Sequence, residues 1–138
     1  DHGQVRVGLA LSDPLGMIAS PLKTVERRRK RKQDIADLAA LVKELDVSEV
    51  VIGIPFEMTG AQGKKANEVL QFAEALREAL DVPVIEWDER LTSVQAERSL
   101  TAMAVRGARR KQLVDQMAAA IILQGYLDSR PRSEEEPW

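Results

Sequence analysis

Carboxylates occur at three places in this sequence where predicted strands or helices begin or end. In chain order they are Asp1, Asp88 with Glu89, and Asp115. Acids that converge can hold one or two divalent ions, and a metal pair about 3.5–4 Å apart can activate water and stabilise the leaving oxygen in phosphodiester cleavage. The chain has one histidine and no cysteine, so a metal here would have oxygen ligands, which suits Mg²⁺ or Mn²⁺.

The stretch that begins at Asp1 predicts a turn followed by a strand. Residues 5–11 alternate, with valine and leucine at every second position on one face. Gly3 would permit a tight turn, and Gly8 within the strand would let another backbone or a ligand come close. An acid at such a strand end could hold a metal, although a surface aspartate before an ordinary hairpin would have the same pattern.

Asp115 begins an apolar face of the last predicted helix. Ala118, Ala119 and Ile122 follow on the same face, at spacings of about three, four and seven residues. Small alanines would let the helix pack close to a sheet and present the acid near the strand ends. An aspartate favoured by the helix dipole in the first turn is an equally good explanation of this residue alone.

Basic residues form two clusters although the net charge is −2. The first is the run of residues 27–32, which includes Arg28, Arg29 and Lys30. The second cluster consists of Arg106, Arg109, Arg110 and Lys111. Local basic patches bind phosphate backbones, so two of them in one small chain favour nucleic acid over the alternative of solvated loops without a partner.

Composition limits the class of protein. Hydrophobic residues make up 44% of 138 residues and charged residues 30%, which predicts a soluble globular domain. No apolar run approaches the roughly 20 residues that cross a bilayer, and no segment resembles a signal peptide, so we expect a cytoplasmic protein without a membrane anchor. The single domain should cover residues 1–129, followed by a disordered polar tail at 130–138.

The predicted elements alternate in an α/β order. After the strand at residues 5–11, a second strand at 17–25 is interrupted or edged by Pro21. Further strands are predicted at residues 49–54 and 82–87, and helices at about 34–45, 63–80, 93–100 and 111–128. Residues 101–109 should form a connection. This order predicts a mixed sheet sandwiched by helices.

Several blocks of the sequence together resemble the RuvX/YqgF family. They are Asp1-x-Gly-x-x-Arg-x-Gly8 with Leu-Ser-Asp13-Pro, Gly53-Ile-Pro, Asp88-Glu-Arg-Leu-Thr92 and Asp115-x-x-Ala-Ala119. The resemblance covers residues 1–127 in family order. It implies the RNase H-like three-layer α/β fold, with a mixed central β-sheet flanked by helices. It also implies a bacterial cytoplasmic nuclease that uses Mg²⁺ or Mn²⁺, described either as a Holliday junction resolvase or as the nuclease that matures the 5′ end of precursor 16S rRNA.

The resemblance implies that Asp1 and Asp115 are catalytic metal ligands. The middle acid then comes from Asp88 or Glu89, which would point to opposite faces of an extended strand end. We favour Glu89 and keep Asp88 open. Family members carry a hydrophobic strand before the first acid, so we expect the first strand to be truncated upstream of Asp1.

Two arginines and the histidine beside these acids have alternative roles. Arg6 and Arg90 could each contact a phosphate or pair with a neighbouring carboxylate, and His2 is expected to be a turn residue rather than a ligand.

Two other functional classes stay open. A catalytically silent nucleic-acid-binding module would use the same fold and basic patches. The Asp-x-Gly pattern also resembles the phosphate loop of actin-like ATPases, but this chain is too short for their two domains. Resolution of DNA junctions would require a symmetric homodimer, whereas trimming of rRNA would not.

Overall fold

The structure, a computed structural model, describes residues 1–91 and 108–130, without the side chains of residues 108–112. The strands are β1 (Arg6–Ser12), β2 (Ala19–Glu26), β3 (Val50–Ile54) and β4 (Val84–Asp88). The helices are α1 (Arg31–Glu44), α2 (Lys64–Ala79) and α3 (Ala108–Ser129), and a 3-10 turn spans Glu89–Leu91. The predicted α/β class is confirmed. The predicted helix at 93–100 and the tail at 131–138 lie outside the described residues.

Strands β1 and β2 form an antiparallel hairpin. Its ladder shifts register between Leu9 and Ala10, and Ala10 pairs with Pro21. The expected interruption at Pro21 is therefore a local irregularity within one strand, because proline removes one ladder donor without ending the pairing. The hairpin reverses at Gly16, which has a φ of 68° that an L side chain rarely adopts.

Strands β3 and β4 run parallel, α2 packs against both of them, and α1 packs against α2. Ile52 and Ile54 of β3 are buried against α2, whose Phe72 is one of the largest fully buried side chains. The other buried residues of this cluster are Ile35, Ala66, Val69, Ala73, Leu76 and Val84. The apolar period predicted for α2 is confirmed at residues 69–76, and this cluster is the main hydrophobic core of the described residues.

Helix α3 packs against the hairpin and also contacts β3. It begins at Ala108, so the expected connection at residues 101–109 was wrong for its last two positions, where alanine and arginine favour the helix. Ala119 and Ile122 are buried, as the apolar face predicted. Asp115 lies on this face, about two turns from the observed start of the helix.

The two strand pairs lie on either side of a cavity of about 640 Å³. Its lining includes the apolar side chains of Leu9, Leu41, Ile52 and Ile122. Both strand directions expected of a mixed sheet are present, but within residues 1–91 and 108–130 they occur as two separate pairs. None of the helices in these residues has the length and apolar character of a membrane span.

Candidate active site

Asp1 is held against β1 by its backbone. Its amino group donates to the carbonyl oxygen of Gly8 at 2.9 Å, and the Gly8 N–H donates back to the Asp1 carbonyl at 2.9 Å. The Gly3 N–H donates to the Arg6 carbonyl, which closes the turn. The Arg27 guanidinium adds a hydrogen bond of 3.2 Å to the Gly3 carbonyl. These contacts fix Asp1 beside Gly8.

Gly8 also gives α3 its place on the hairpin. A Cβ at this position would lie 2.1 Å from the carbonyl oxygen of Asp115 and 3.0 Å from its Cβ. Any side chain at Gly8 would therefore displace the helix backbone. The close approach expected at this glycine is that of a helix, and it brings Asp115 to the same part of β1 as Asp1.

Gly53 of β3 allows a similarly close approach by the Glu89 side chain. A Cβ on Gly53 would lie 2.8 Å from Glu89 Cγ and 2.8 Å from Ile122 Cδ1 of α3. Glu89 therefore folds back over β3 towards α3. The backbone nitrogen of Asp1 lies close enough to both Glu89 and Asp115 to interact electrostatically with their carboxylates. The three predicted positions thus come into one neighbourhood.

Asp88 is engaged by Arg90. The Arg90 Nε lies 3.0 Å from Asp88 Oδ1, Nη2 lies 2.6 Å from Oδ2, and the Arg90 N–H donates to Oδ1 at 2.9 Å. These side-chain hydrogen bonds lower the pKa of Asp88 below its usual value. The strand ends at Asp88, and Glu89 begins the 3-10 turn, so the two acids separate through this change of backbone rather than through strand alternation.

Arg6 is paired with Asp115. The Arg6 Nε donates to Asp115 Oδ2 at 2.9 Å, and each side chain is 27% exposed. The sequence left two roles open for Arg6, contact with a phosphate or pairing with a carboxylate, and the structure shows the pairing with a carboxylate. Arg90 likewise pairs with an acid and lies 5.7 Å from the centroid of the Phe56 ring.

The fit of this neighbourhood to a metal ion depends on donor chemistry and on arrangement. Asp1, Glu89 and Asp115 offer the carboxylate oxygens that Mg²⁺ and Mn²⁺ bind. However, across residues 1–91 and 108–130, no group of three or more acids or histidines is arranged to hold a metal ion. The donor set fits a hard divalent cation, whereas the side chains as placed do not form a ready-made site.

The first basic cluster divides into paired and unpaired residues. Arg28 forms an ion pair of 3.0 Å with Asp37, while Arg29 and Lys30 are exposed and form no ion pair with the described residues. Arg29 has a φ of 63°, which is uncommon for a residue other than glycine. In the second cluster, Arg106 and the side chains of Arg109, Arg110 and Lys111 lie outside the described residues.

Sequence reasoning missed the supporting role of Asp34. This carboxylate is only 4% exposed and accepts hydrogen bonds from Arg27 Nε at 3.2 Å and from the Arg28 N–H at 2.8 Å. It therefore anchors the basic run, whose first member holds the Gly3 carbonyl. An acid in the first helical turn, two positions after a run of six basic residues, was the available signal.

His2 was expected to be a turn residue, but it lies in a β-bridge and its ring contacts the core. It pairs with Val7 in an isolated antiparallel bridge, and its ring centroid lies 4.4 Å from that of Phe72. Burial, aided by the charge of Arg27, lowers the pKa of His2 to about 4. His2 therefore packs the Asp1 segment onto the core.

Comparison with known proteins gives a consistent result. The family model described as "RuvX: Holliday junction resolvase" matches residues 1–129. A protein of Desulforamulus reducens is 43% identical over 129 residues, covering 94% of this chain and 93% of its own. One of Syntrophomonas wolfei is 45% identical, covering 93% and 90%, and one of Bacillus thuringiensis is 44% identical, covering 94% and 96%. All three are named "Putative pre-16S rRNA nuclease". This chain belongs to the RuvX family.

Proposed function

We propose that this chain is a divalent-metal-dependent nuclease that hydrolyses phosphodiester bonds in structured nucleic acid in the cytoplasm. Its substrates would be the 5′ end of precursor 16S rRNA, branched DNA such as Holliday junctions, or both. Membership of the RuvX family and the names of its relatives support nuclease activity. The observation that carries the proposal is the approach of Asp115 to Gly8 and of Glu89 to Gly53, which gathers acids from separate elements beside Asp1.

In this proposal, Asp1, Glu89 and Asp115 hold Mg²⁺ or Mn²⁺. The ion would supply an activated water and stabilisation of the charge on the leaving oxygen. The chain's own contribution is to hold the carboxylates near one another by backbone pairing at Asp1 and by two glycine-dependent contacts.

Glu89 is the better middle acid of the two candidates. Both carboxylate oxygens of Asp88 already accept hydrogen bonds from Arg90, through its guanidinium and its backbone N–H, so they are committed to Arg90. Glu89 instead packs over Gly53 towards α3, which carries Asp115. We propose that Asp88 and Arg90 support the turn that presents Glu89.

The exposed basic residues would bind the phosphate backbone. Arg29 and Lys30 follow Arg27, whose hydrogen bond to the Gly3 carbonyl ties this run to the segment that carries Asp1. A nucleic acid cleaved at the acids could therefore also contact these two residues. Arg28 is held by Asp37 and contributes less. Roles for Arg106, Arg109, Arg110 and Lys111 stay predictions, as does the homodimer that paired cuts in a junction would require.

One observation favours the catalytically silent binding module as a second candidate. Among the described residues, no three acids are arranged to hold a metal. A module of this kind would bind RNA or DNA in a salt-dependent manner and cleave neither with any metal.

A side-by-side cleavage assay separates the two candidates. The full chain is incubated with a four-way DNA junction and with a precursor 16S rRNA fragment, in Mg²⁺ and in Mn²⁺. We expect metal-dependent cleavage of at least one substrate, and we expect Asp115→Asn to lower the rate by at least about a hundredfold while the protein still folds. Binding without cleavage under every condition would favour the silent module. Unchanged turnover by Asp115→Asn would contradict the assignment of this acid.

A further inference from the structure

The Arg6–Asp115 ion pair engages one oxygen, Oδ2, of an acid that the proposed function assigns to a metal ion. Arg6 and Gly8 lie two residues apart in β1, so they share one face of the strand. Helix α3 contacts that face at Gly8, which brings Asp115 within 2.9 Å of the Arg6 guanidinium. The pairing therefore follows from the same close approach that builds the candidate site.

A guanidinium and a divalent cation compete for the same carboxylate. Both are positively charged, and each needs lone pairs of the Asp115 oxygens, so a nearby Arg6 opposes a cation by repulsion as well as by occupancy. Such competition would help to explain a discrepancy in the described residues. The acids have the right chemistry and lie in one neighbourhood, yet no three of them are arranged to hold a metal.

We propose that Arg6 is a positioning residue that holds Asp115 while the site contains no metal and gives up this carboxylate when a divalent cation binds. The inference rests on the proposed metal-dependent function. It assigns to Arg6 a role that moves with metal binding instead of a fixed structural contact.

The exposure of the pair distinguishes it from a structural ion pair elsewhere in the chain. The Arg6 and Asp115 side chains are each 27% exposed, so water screens their attraction and can replace it at low cost. In the Arg27–Asp34 pair, by contrast, the acid is only 4% exposed, and removal of its partner would leave a buried charge. Of these two ion pairs, Arg6–Asp115 is therefore the one in which a cation can replace the arginine.

Replacement of Arg6 by the cation at Asp115 would leave Arg6 able to contact the substrate. Once Asp115 binds the cation, the guanidinium stays beside the site as an unpaired charge, and a phosphate oxygen of the nucleic acid is the anion expected there. The two roles that the sequence left open for Arg6 then describe two states of the protein.

The test measures Mn²⁺ affinity of the full chain without nucleic acid, by titration followed with electron paramagnetic resonance and by calorimetry. Arg6→Gln and Arg6→Met remove the competing charge, and the second keeps the unbranched stem. We expect both to bind Mn²⁺ about tenfold more tightly than the wild type, because a close cation is removed from a ligand.

Arg77→Gln is the matched control. Arg77 pairs with Glu74 at 2.7 Å and with Glu86 at 3.2 Å and also donates to the carbonyl of Val84, the first residue of β4, so it lies at the other end of that strand from Glu89. Its loss changes the net charge equally and should leave the Mn²⁺ affinity unchanged. In an Asp115→Asn background, the gain from Arg6→Gln should disappear, which a general charge effect would not produce.

Equal or weaker Mn²⁺ binding by both Arg6 variants would overturn the inference, as would an equal gain in Arg77→Gln. The absence of Mn²⁺ binding in the wild type and in every variant would instead contradict the metal-dependent function itself. The two failures are therefore distinguishable.

Discussion

The two halves of the described structure are stabilised in different ways. The half formed by α1, β3, α2 and β4 contains the main apolar cluster around Phe72 and Ile54. The half formed by the β1–β2 hairpin and α3 has few fully buried side chains and relies on polar contacts such as Gln124 with the Ala19 N–H at 2.9 Å. Glu89 belongs to the first half and Asp115 to the second. The candidate site therefore depends on how closely the two halves approach, whereas most of the apolar burial lies in one of them.

The largest effect on stability should come from the core of the first half. Phe72→Ala removes a side chain that is 2% exposed, and we expect it to lower the free energy of unfolding by about 3–5 kcal/mol. Leu15→Ala in the hairpin turn removes a side chain that is 84% exposed and should change it by less than about 0.5 kcal/mol. Urea denaturation measures both. Similar losses in the two variants would contradict the contrast between the halves.

The contact between Gly8 and α3 is the next most sensitive feature. Gly8→Ala would put a methyl group 2.1 Å from the Asp115 carbonyl oxygen, so the helix must shift. We expect a loss of about 1–3 kcal/mol in unfolding free energy, accompanied by a loss of cleavage that exceeds the loss of folded protein. Gly125→Ala, on α3 itself, brings a methyl group only to 3.4 Å from the Trp87 ring and is the control. Wild-type cleavage by Gly8→Ala would show that the close approach is not required.

The sequence predicted the elements better than their contacts. The 3.6-residue period of α2 and the apolar run of β3 identified the core because both patterns report burial directly. Gly8 and Gly53 were visible as glycines, and an approaching backbone or ligand was expected at Gly8. Which element approaches each glycine depends on tertiary packing. The buried position of Asp34 was missed for the same reason, since it depends on partners in the preceding segment.

The choice between Asp88 and Glu89 shows the same limit at the site. Strand alternation predicted that the two acids separate, and they do, but through a 3-10 turn that begins at Glu89. The hydrogen bonds from Arg90 to Asp88 then give a reason to prefer Glu89 that the sequence alone did not contain.

The smallest expected effect concerns nucleic-acid affinity. Lys30 and Lys43 are both exposed and lie at opposite ends of α1, about 20 Å apart at 1.5 Å per residue. Lys30→Ala should weaken binding severalfold and reduce the slope of log affinity against log salt by about one, because one phosphate contact is lost. Lys43→Ala should change neither quantity. Fluorescence anisotropy in the Asp115→Asn background measures binding without cleavage, and equal effects of the two substitutions would contradict a directed contact.

The central claim is that cleavage requires one acid from the apolar half, Glu89, together with Asp1 and Asp115 from the hairpin half. Single-turnover cleavage in Mn²⁺ by Glu89→Gln and Asp88→Asn tests it most directly, because the two acids are adjacent and each substitution removes one charge. We expect Glu89→Gln to lower the rate by at least about a hundredfold and Asp88→Asn by less than about tenfold. The reverse order, or full activity in Glu89→Gln, would contradict the account.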